Sequence, residues 1–138
     1  MGHQTWPQTY AFAGPAYIEH GLATWWSPEA VERSLHATTV LIAEDGTRPL
    51  GTGNIDLRGH VAIIWKLYVV PEAQGTGTGS ALLTELVGQA PDLPVRLEYT
   101  DGNHRAARFY AAHGFAEVAR EPAGRPGWPD TVWLERTP

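Results

Sequence analysis

The spacing of apolar side chains divides this chain into segments with different periods. From residue 38 to 70 the apolar positions fall in short continuous or alternating runs, the habit of strands. TTVLIAED (38–45) reads as a strand ended by Asp45-Gly46. A second strand runs from Leu50 to Leu57, weakened by Gly51 and Gly53, and VAIIWKLYVV (61–70) is a third. The short Arg58-Gly59-His60 connection makes the last two an antiparallel hairpin. After Pro71 the period lengthens, and SALLTELVGQA (80–90) sets Leu82, Leu83, Leu86, Val87 and Ala90 on one helical stripe. VRLEYT (95–100) alternates again. Asn103 then caps a helix predicted through about His113, with Gly114 where a left-handed cap belongs. FAEVAR (115–120) and TVWLER (131–136) are the last two strands, joined by the turn-rich loop EPAGRPGWPD.

Upstream, Ser27-Pro28-Glu29 is a helix start: a hydroxyl cap, a proline at the first helical position and an acid in the first turn. Residues 1–26 carry the weakest pattern, with Gly14-Pro15 as punctuation and a short helix at Tyr17 to Leu22. No repeat, low-complexity tract or linker interrupts the 138 residues, so a single domain, 1–138, is expected. Its order, helical then β-β-β-α-β-α-β-β, predicts an α/β (α+β) fold with a mixed, mostly antiparallel central sheet flanked by helices.

Composition narrows the function. A hydrophobic fraction of 43% is enough for a core and excludes a disordered chain. The net charge of −5 supplies no basic face, so nucleic acid is not an expected partner. Mild acidity suits a cationic partner such as an amine, and equally suits solubility alone. With no cysteine there is no disulfide, thiolate metal site or catalytic thiol. The six histidines lack metal-ligand spacing, His104 and His113 standing nine apart on one helix, so no metal is expected. MGHQTWPQTY has no signal-peptide pattern, and the longest apolar run, broken by Lys66, falls short of the roughly 18 residues of a membrane span. A cytoplasmic protein is expected, with no membrane partner.

The strongest local signal is QGTGTGS (74–80), between a strand and a helix. Its glycines let backbone approach a ligand, and the unpaired first amides of the helix lie at its positive end, a site for phosphate or pyrophosphate. Position 80 is serine where a Walker loop needs lysine, which argues against a nucleotide triphosphatase. A dinucleotide fingerprint needs Gly-x-Gly-x-x-Gly and further βα units. Only Glu98, 19 residues past Gly79, fits that reading.

With its surroundings, this turn resembles motif A of the GNAT superfamily of acyl-CoA-dependent N-acetyltransferases. That motif is a strand, a proline-ended bend, then Gln/Arg-x-x-Gly-x-Gly/Ala opening a helix, here LYVVPEAQGTGTGSALL. A second block, NHRAARFYAAHGF (103–115), resembles the family's Asn-x-x-Ala-x-x-Phe-Tyr-x-x-x-Gly-Phe. The resemblance covers residues 38–136. It implies acetyl-CoA as co-substrate, its pyrophosphate on Gln74, Gly75, Thr76, Gly77, Thr78, Gly79 and Ser80. Leu67, Tyr68 and Val69 would hold the acetyl carbonyl and pantetheine, with Asn103 touching the pantetheine. A bulge in the third strand would splay it from strand 95–100 in a V and open the cofactor slot.

The resemblance also places Tyr110 as general acid to the leaving thiolate and as a cofactor contact. The plain structural alternative is a core tyrosine beside Phe109 and Phe115. Glu98 is the best candidate base, lying five residues before Asn103, although a surface pair with Arg96 would also explain it. Glu44, Asp56, His60 and water alone are further options. Arg105 and Arg108 flank the Asn103 motif and read as solvated helix-face charges, with approach to a CoA phosphate as the alternative.

Family habit puts the acceptor amine between the N-terminal helices and the last hairpin loop. Trp25, Trp26 and Trp128 would wall it there, with Tyr17, Glu19 and Asp130 nearby, unless these rings only pack the core edge. The family's usual first strand is missing, either because the N-terminus is shortened or because residues 1–14 supply a degenerate version. The function implied is N-acetyl transfer to a small-molecule or peptide amine. The alternative is a non-catalytic CoA-binding module on the same fold. Family habit adds a homodimer.

Overall fold

The strand-like runs pair into one six-stranded sheet. A computed structural model describes residues 2–138, the side chains of His3, Gln4 and Gln8 excepted. The strands are β1 (Thr39–Asp45), β2 (Arg48–Asp56), β3 (Ala62–Val69), β4 (Val95–Thr100), β5 (Ala116–Glu121) and β6 (Thr131–Arg136). The helices are α1 (Gly2–Thr9), α2 (Pro15–Trp25), α3 (Pro28–Ala37), α4 (Thr78–Gly88) and α5 (His104–Ala112). Sheet order is β1-β2-β3-β4-β6-β5, and only β3 and β4 run parallel. This is the mixed, mostly antiparallel sheet read from the sequence.

The helix signals act as expected. Ser27 Oγ accepts from the Ala30 amide (3.2 Å), and Asn103 Oδ1 from the Ala106 amide (3.1 Å). Gly114 takes φ of 88° at the end of α5. On one sheet face Leu83 and Leu86 of α4 pack with Ile55, Ile64, Leu97 and Val132, all essentially out of water. The two glycines of β2 admit this helix. A Cβ on Gly51 would stand 2.8 Å from the Tyr68 carbonyl oxygen and 2.9 Å from Leu82 Cδ1, and one on Gly53 2.6 Å from Leu86 Cδ1. They weaken strand propensity so that α4 can lie close.

Two features position the site. Asn54 pairs with Lys66 and Ile55 with Ile64, leaving Trp65 as an extra residue in β3. This bulge sends two successive side chains to the outer face: Trp65 meets Trp133 edge-on (5.9 Å), and Lys66 lies over Trp26 (4.2 Å). The parallel ladder then stops. β3 and β4 pair only at Ala62↔Val95, Ile63↔Arg96 and Ile64↔Leu97, and part beyond.

The N-terminal expectation needs correction. Residues 2–9 and 15–25 are helices, the second longer than the stretch read from the sequence, so no degenerate strand forms there. Among the described residues β1 is the first strand. Aromatic packing is the cause. Trp6 and Tyr10, four apart on the chain, stack against each other (4.3 Å between ring centroids) and against Tyr17 of α2. Trp6 fills a notch at Gly21, where a Cβ would stand 1.8 Å from the ring.

Replacing Gly51 by alanine drives a methyl onto a strand carbonyl. Urea unfolding should show a loss of about 1–3 kcal/mol, the usual cost of overpacking; unchanged stability would mean that α4 does not press on β2.

Candidate active site

Where β3 and β4 part, the sheet opens into a cavity of about 650 Å³. Its walls gather most of the residues singled out from the sequence: Leu67, Tyr68 and Val69 from β3, Gln74, Gly75, Gly77, Gly79 and Ser80 from the glycine turn, Glu98 from β4, and Asn103 and Tyr110 from the α5 block. Thr76 and Thr78 stand outside this lining, their hydroxyls bonded to each other (2.9 Å).

The glycine turn owes its shape to local backbone chemistry. Gly75 and Gly77 take φ of 80° and 90°, the left-handed region that side chains resist. Ala81 is the first amide to close a helical bond, onto the Gly77 carbonyl (3.0 Å). The amides from Gly77 to Ser80 therefore precede the ladder of α4 and lie at its positive end. Gln74 clamps the turn: its Nε2 donates to the Val69 carbonyl (3.1 Å), and its Oε1 accepts from Arg105 Nη1 (2.6 Å). Arg105 stays exposed to solvent, yet it is bonded to the turn and lines the cavity from α5.

Tyr110 has both environments weighed for it. Its ring packs against Phe109 and Phe115 (5.3 and 6.0 Å), while its side chain lines the cavity. Burial first, and Tyr10 second, raise its pKa above the usual phenol value, so the hydroxyl stays protonated. Glu98 does not pair with Arg96, which turns instead to Glu135 (3.5 Å) across the β4–β6 ladder. The Glu98 carboxylate keeps an edge in solvent, yet desolvation and then Glu121 hold its pKa above the ordinary range.

Several wall residues escaped the sequence reading. Thr5 and Thr9 of α1 and Tyr10 just after it reach the cavity, as do Trp65, Lys66 and Phe109. Tyr10 and Tyr68 are both pushed up by burial, Tyr68 to about 12, and their hydroxyls engage each other. The usable signal was the pairing of Thr5 with Thr9 and of Trp6 with Tyr10, each one helical turn apart, which Pro7 obscured.

The three tryptophans expected at the acceptor are not among the residues that line this cavity. Trp26 packs on Tyr68 (5.3 Å) and beneath the Lys66 ammonium. Trp25 and Trp128 both close on His20 (5.9 and 5.4 Å). Trp128 also meets Tyr17 (5.4 Å), whose hydroxyl is bonded to Thr100 Oγ1 (3.0 Å). These rings fasten α2 and the last loop to the sheet. Among the described residues no group of three or more acidic or imidazole side chains is placed to hold a metal ion, and no helix is long and apolar enough to cross a membrane.

Comparison with known proteins gives this arrangement a context. Residues 4–115 match the model of the acetyltransferase (GNAT) family. Over 53 residues the chain is 43% identical to the uncharacterized N-acetyltransferases Mb2688 of Mycobacterium bovis and Rv2669 of Mycobacterium tuberculosis, covering 36% of this chain and 34% of theirs. The match thus spans about a third of the length of those relatives. The PaiA N-acetyltransferase of Thermoplasma acidophilum, solved with coenzyme A, superposes with a TM-score of 0.82 at 22% identity, over 99% of this chain and 88% of that one. The ribosomal-protein-S18-alanine N-acetyltransferase of Escherichia coli gives 0.73 at 19% identity, over 80% and 76%. Both structures share the fold, and the family match takes in the splayed strand pair, the glycine turn and the α5 block: the chain belongs to the GNAT family of acetyltransferases.

Proposed function

We propose that this chain moves an acetyl group from acetyl-CoA to a primary amine of a small molecule or peptide, by direct attack of the amine on the thioester. One observation carries the reading: a single cavity joins a cradle of helix N-terminal amides, a strand edge without a partner and a protonated tyrosine. The donor set fits coenzyme A. Gly75 and Gly77 have nothing within 4 Å of where a Cβ would stand, so the turn is open to a pyrophosphate, and Arg105 adds a cation beside it. Past Ile64, the edge of β3 facing β4 has no strand partner, leaving backbone groups at Leu67 to Val69 for an extended pantetheine and the acetyl carbonyl. When bound, acetyl-CoA supplies the activated acetyl group and a thiolate leaving group.

The chain's own residues supply the proton transfers. An alkylamine, with a pKa near 10, is mostly protonated at neutral pH and must lose a proton before it attacks. Glu98, on the outer wall of the cavity and with its pKa raised, takes that proton directly or through water. Tyr110 donates to the departing sulfur, and amides near Val69 stabilise the oxyanion as charge develops. In this reading the acceptor approaches past Tyr10, Trp65 and Glu98, with Trp25, Trp26 and Trp128 behind that wall.

Thiol release across a panel of amines tests the proposal. CoA binding without release from any amine would leave a non-catalytic binding module, and no CoA binding would remove both readings. Tyr110→Phe should lower turnover about 10²–10⁴-fold, the usual worth of a general acid, with CoA affinity nearly unchanged. Retained turnover would remove Tyr110 as the acid. For Glu98→Gln the pH profile decides. Protonation silences wild-type Glu98 below its raised pKa, and above the amine's pKa no base is required, so the loss should concentrate between the two. An equal loss at every pH counts against a base role. Gly77→Ala forces a methyl into the left-handed region at a cost of about 1–2 kcal/mol. Calorimetry should then show CoA bound about tenfold more weakly, as 1.4 kcal/mol corresponds to one decade.

A further inference from the structure

Lys66 is the single lysine in the chain, against nine arginines. Every other cationic side chain that is always charged is therefore a guanidinium, which stays protonated and does not accept an acetyl group under ordinary conditions. This one side-chain primary amine lies in the wall of the active-site cavity, on β3, next to Leu67. The bulge at Trp65 puts it there, by turning two successive residues to the outer face.

Its surroundings favour a nucleophile. The side chain is half-buried, and desolvation alone lowers its pKa, enlarging the neutral fraction that can attack a carbonyl. No carboxylate forms an ion pair with it among the described residues; its Nζ lies over the Trp26 ring (4.2 Å) and donates to the Trp25 carbonyl. The ring and the carbonyl favour the ammonium form less strongly than a carboxylate would, and a neutral amine keeps that donation with its lone pair free.

We infer that Lys66 is a self-acetylation site: its amine takes the acetyl group of acetyl-CoA bound in the same cavity. The inference rests on the acetyl transfer proposed above. Neutral Nζ leaves the Trp25 carbonyl by side-chain rotation and attacks the thioester carbon. The C–N bond forms and the C–S bond breaks. The sulfur takes a proton from Tyr110, and the proton shed by nitrogen passes through cavity water to restore the phenol. The products are Nζ-acetyl-Lys66 and CoA. A tethered amine has a high effective concentration, but it must first leave its partners, so the modification is slow beside turnover on a good acceptor and stops at one acetyl group per chain. It removes the charge from the Trp26 ring where α2 meets α3.

The test uses the full chain with acetyl-CoA, followed by proteolysis and mass spectrometry. One acetyl group on Lys66 is expected, suppressed by excess desulfo-CoA and absent from urea-unfolded chain. Its rate constant should not change as the chain is diluted, and Lys66→Arg, which keeps the cation, should lose the modification. An unmodified Lys66 in a sample that releases thiol with a panel amine overturns this inference and leaves the proposed function standing. Acetylation that ignores desulfo-CoA, or that proceeds equally in urea, is plain solution chemistry and overturns it too. A rate that rises with chain concentration assigns the transfer to a second copy and overturns the intramolecular route. If no amine releases thiol and Lys66 stays unmodified, the proposed function fails together with it.

Discussion

The parting of β3 from β4 is the constraint on which the rest of the molecule depends. A parallel pair that stops after Leu97 leaves backbone donors and acceptors of β3 without a ladder, and burying them unpaired would cost about 1–3 kcal/mol each. The structure keeps a cavity along that edge, with room for the pairing groups that β4 does not supply. The Trp65 bulge shifts the register of β3 against β2 just where β3 leaves β4. Gln74 then closes the far end, one amide group tying the tip of β3 to Arg105 of α5 through the glycine turn.

A split sheet needs a cover, and aromatic side chains provide it. Trp6 seated in the Gly21 notch, with Tyr10 and Tyr17 against it, makes α1 and α2 one layer. Tyr17 bonded to Thr100 and Trp26 packed on Tyr68 attach that layer to β4 and β3, one on each side of the gap. Large rings suit this task in a short chain because each buries much area for few rotatable bonds. The cover also brings Tyr10 from the outer layer and Tyr110 from the inner one to the same opening, where Tyr10 adds to the upward shift of Tyr110.

What could be read from the sequence follows from how local each signal is. The strands, the Ser27 and Asn103 caps, the glycine turn and Gly114 are set by neighbours in the chain, and all appear where their residues place them. The splay came from resemblance to a family, and the bulge has no local mark, because Trp65 only continues the apolar stretch that Lys66 interrupts. Glu98 shares a strand face with Arg96, yet register against β6 gives Arg96 a better partner in Glu135, a fact of pairing that alternation within one strand does not contain. The N-terminal helices were least legible because Gly14-Pro15 read as a break and because α1 carries a proline, Pro7, inside it. Trp6 and Gly21, one large and one absent side chain, show their complementarity only once the helices meet. Arg105 looked like a solvated charge for the same reason, its partner Gln74 lying in a turn 31 residues earlier.

The cavity's electrostatics bring its chemistry and its single lysine into one account. Burial moves five groups in its wall toward the neutral form: the phenols of Tyr10, Tyr68 and Tyr110 and the carboxyl of Glu98 upward, the amine of Lys66 downward. In the proposed transfer, a site that disfavours charge would hold the proton on Tyr110 until the thiolate leaves and would make the Glu98 carboxylate a stronger base. It also favours the free form of an amine that enters. The same medium that would prepare an incoming acceptor prepares Lys66. With the other fixed cations of this chain all arginine, the surroundings that would suit the cavity to acetyl transfer leave Lys66, under the inference above, as the one lysine that could accept the acetyl group.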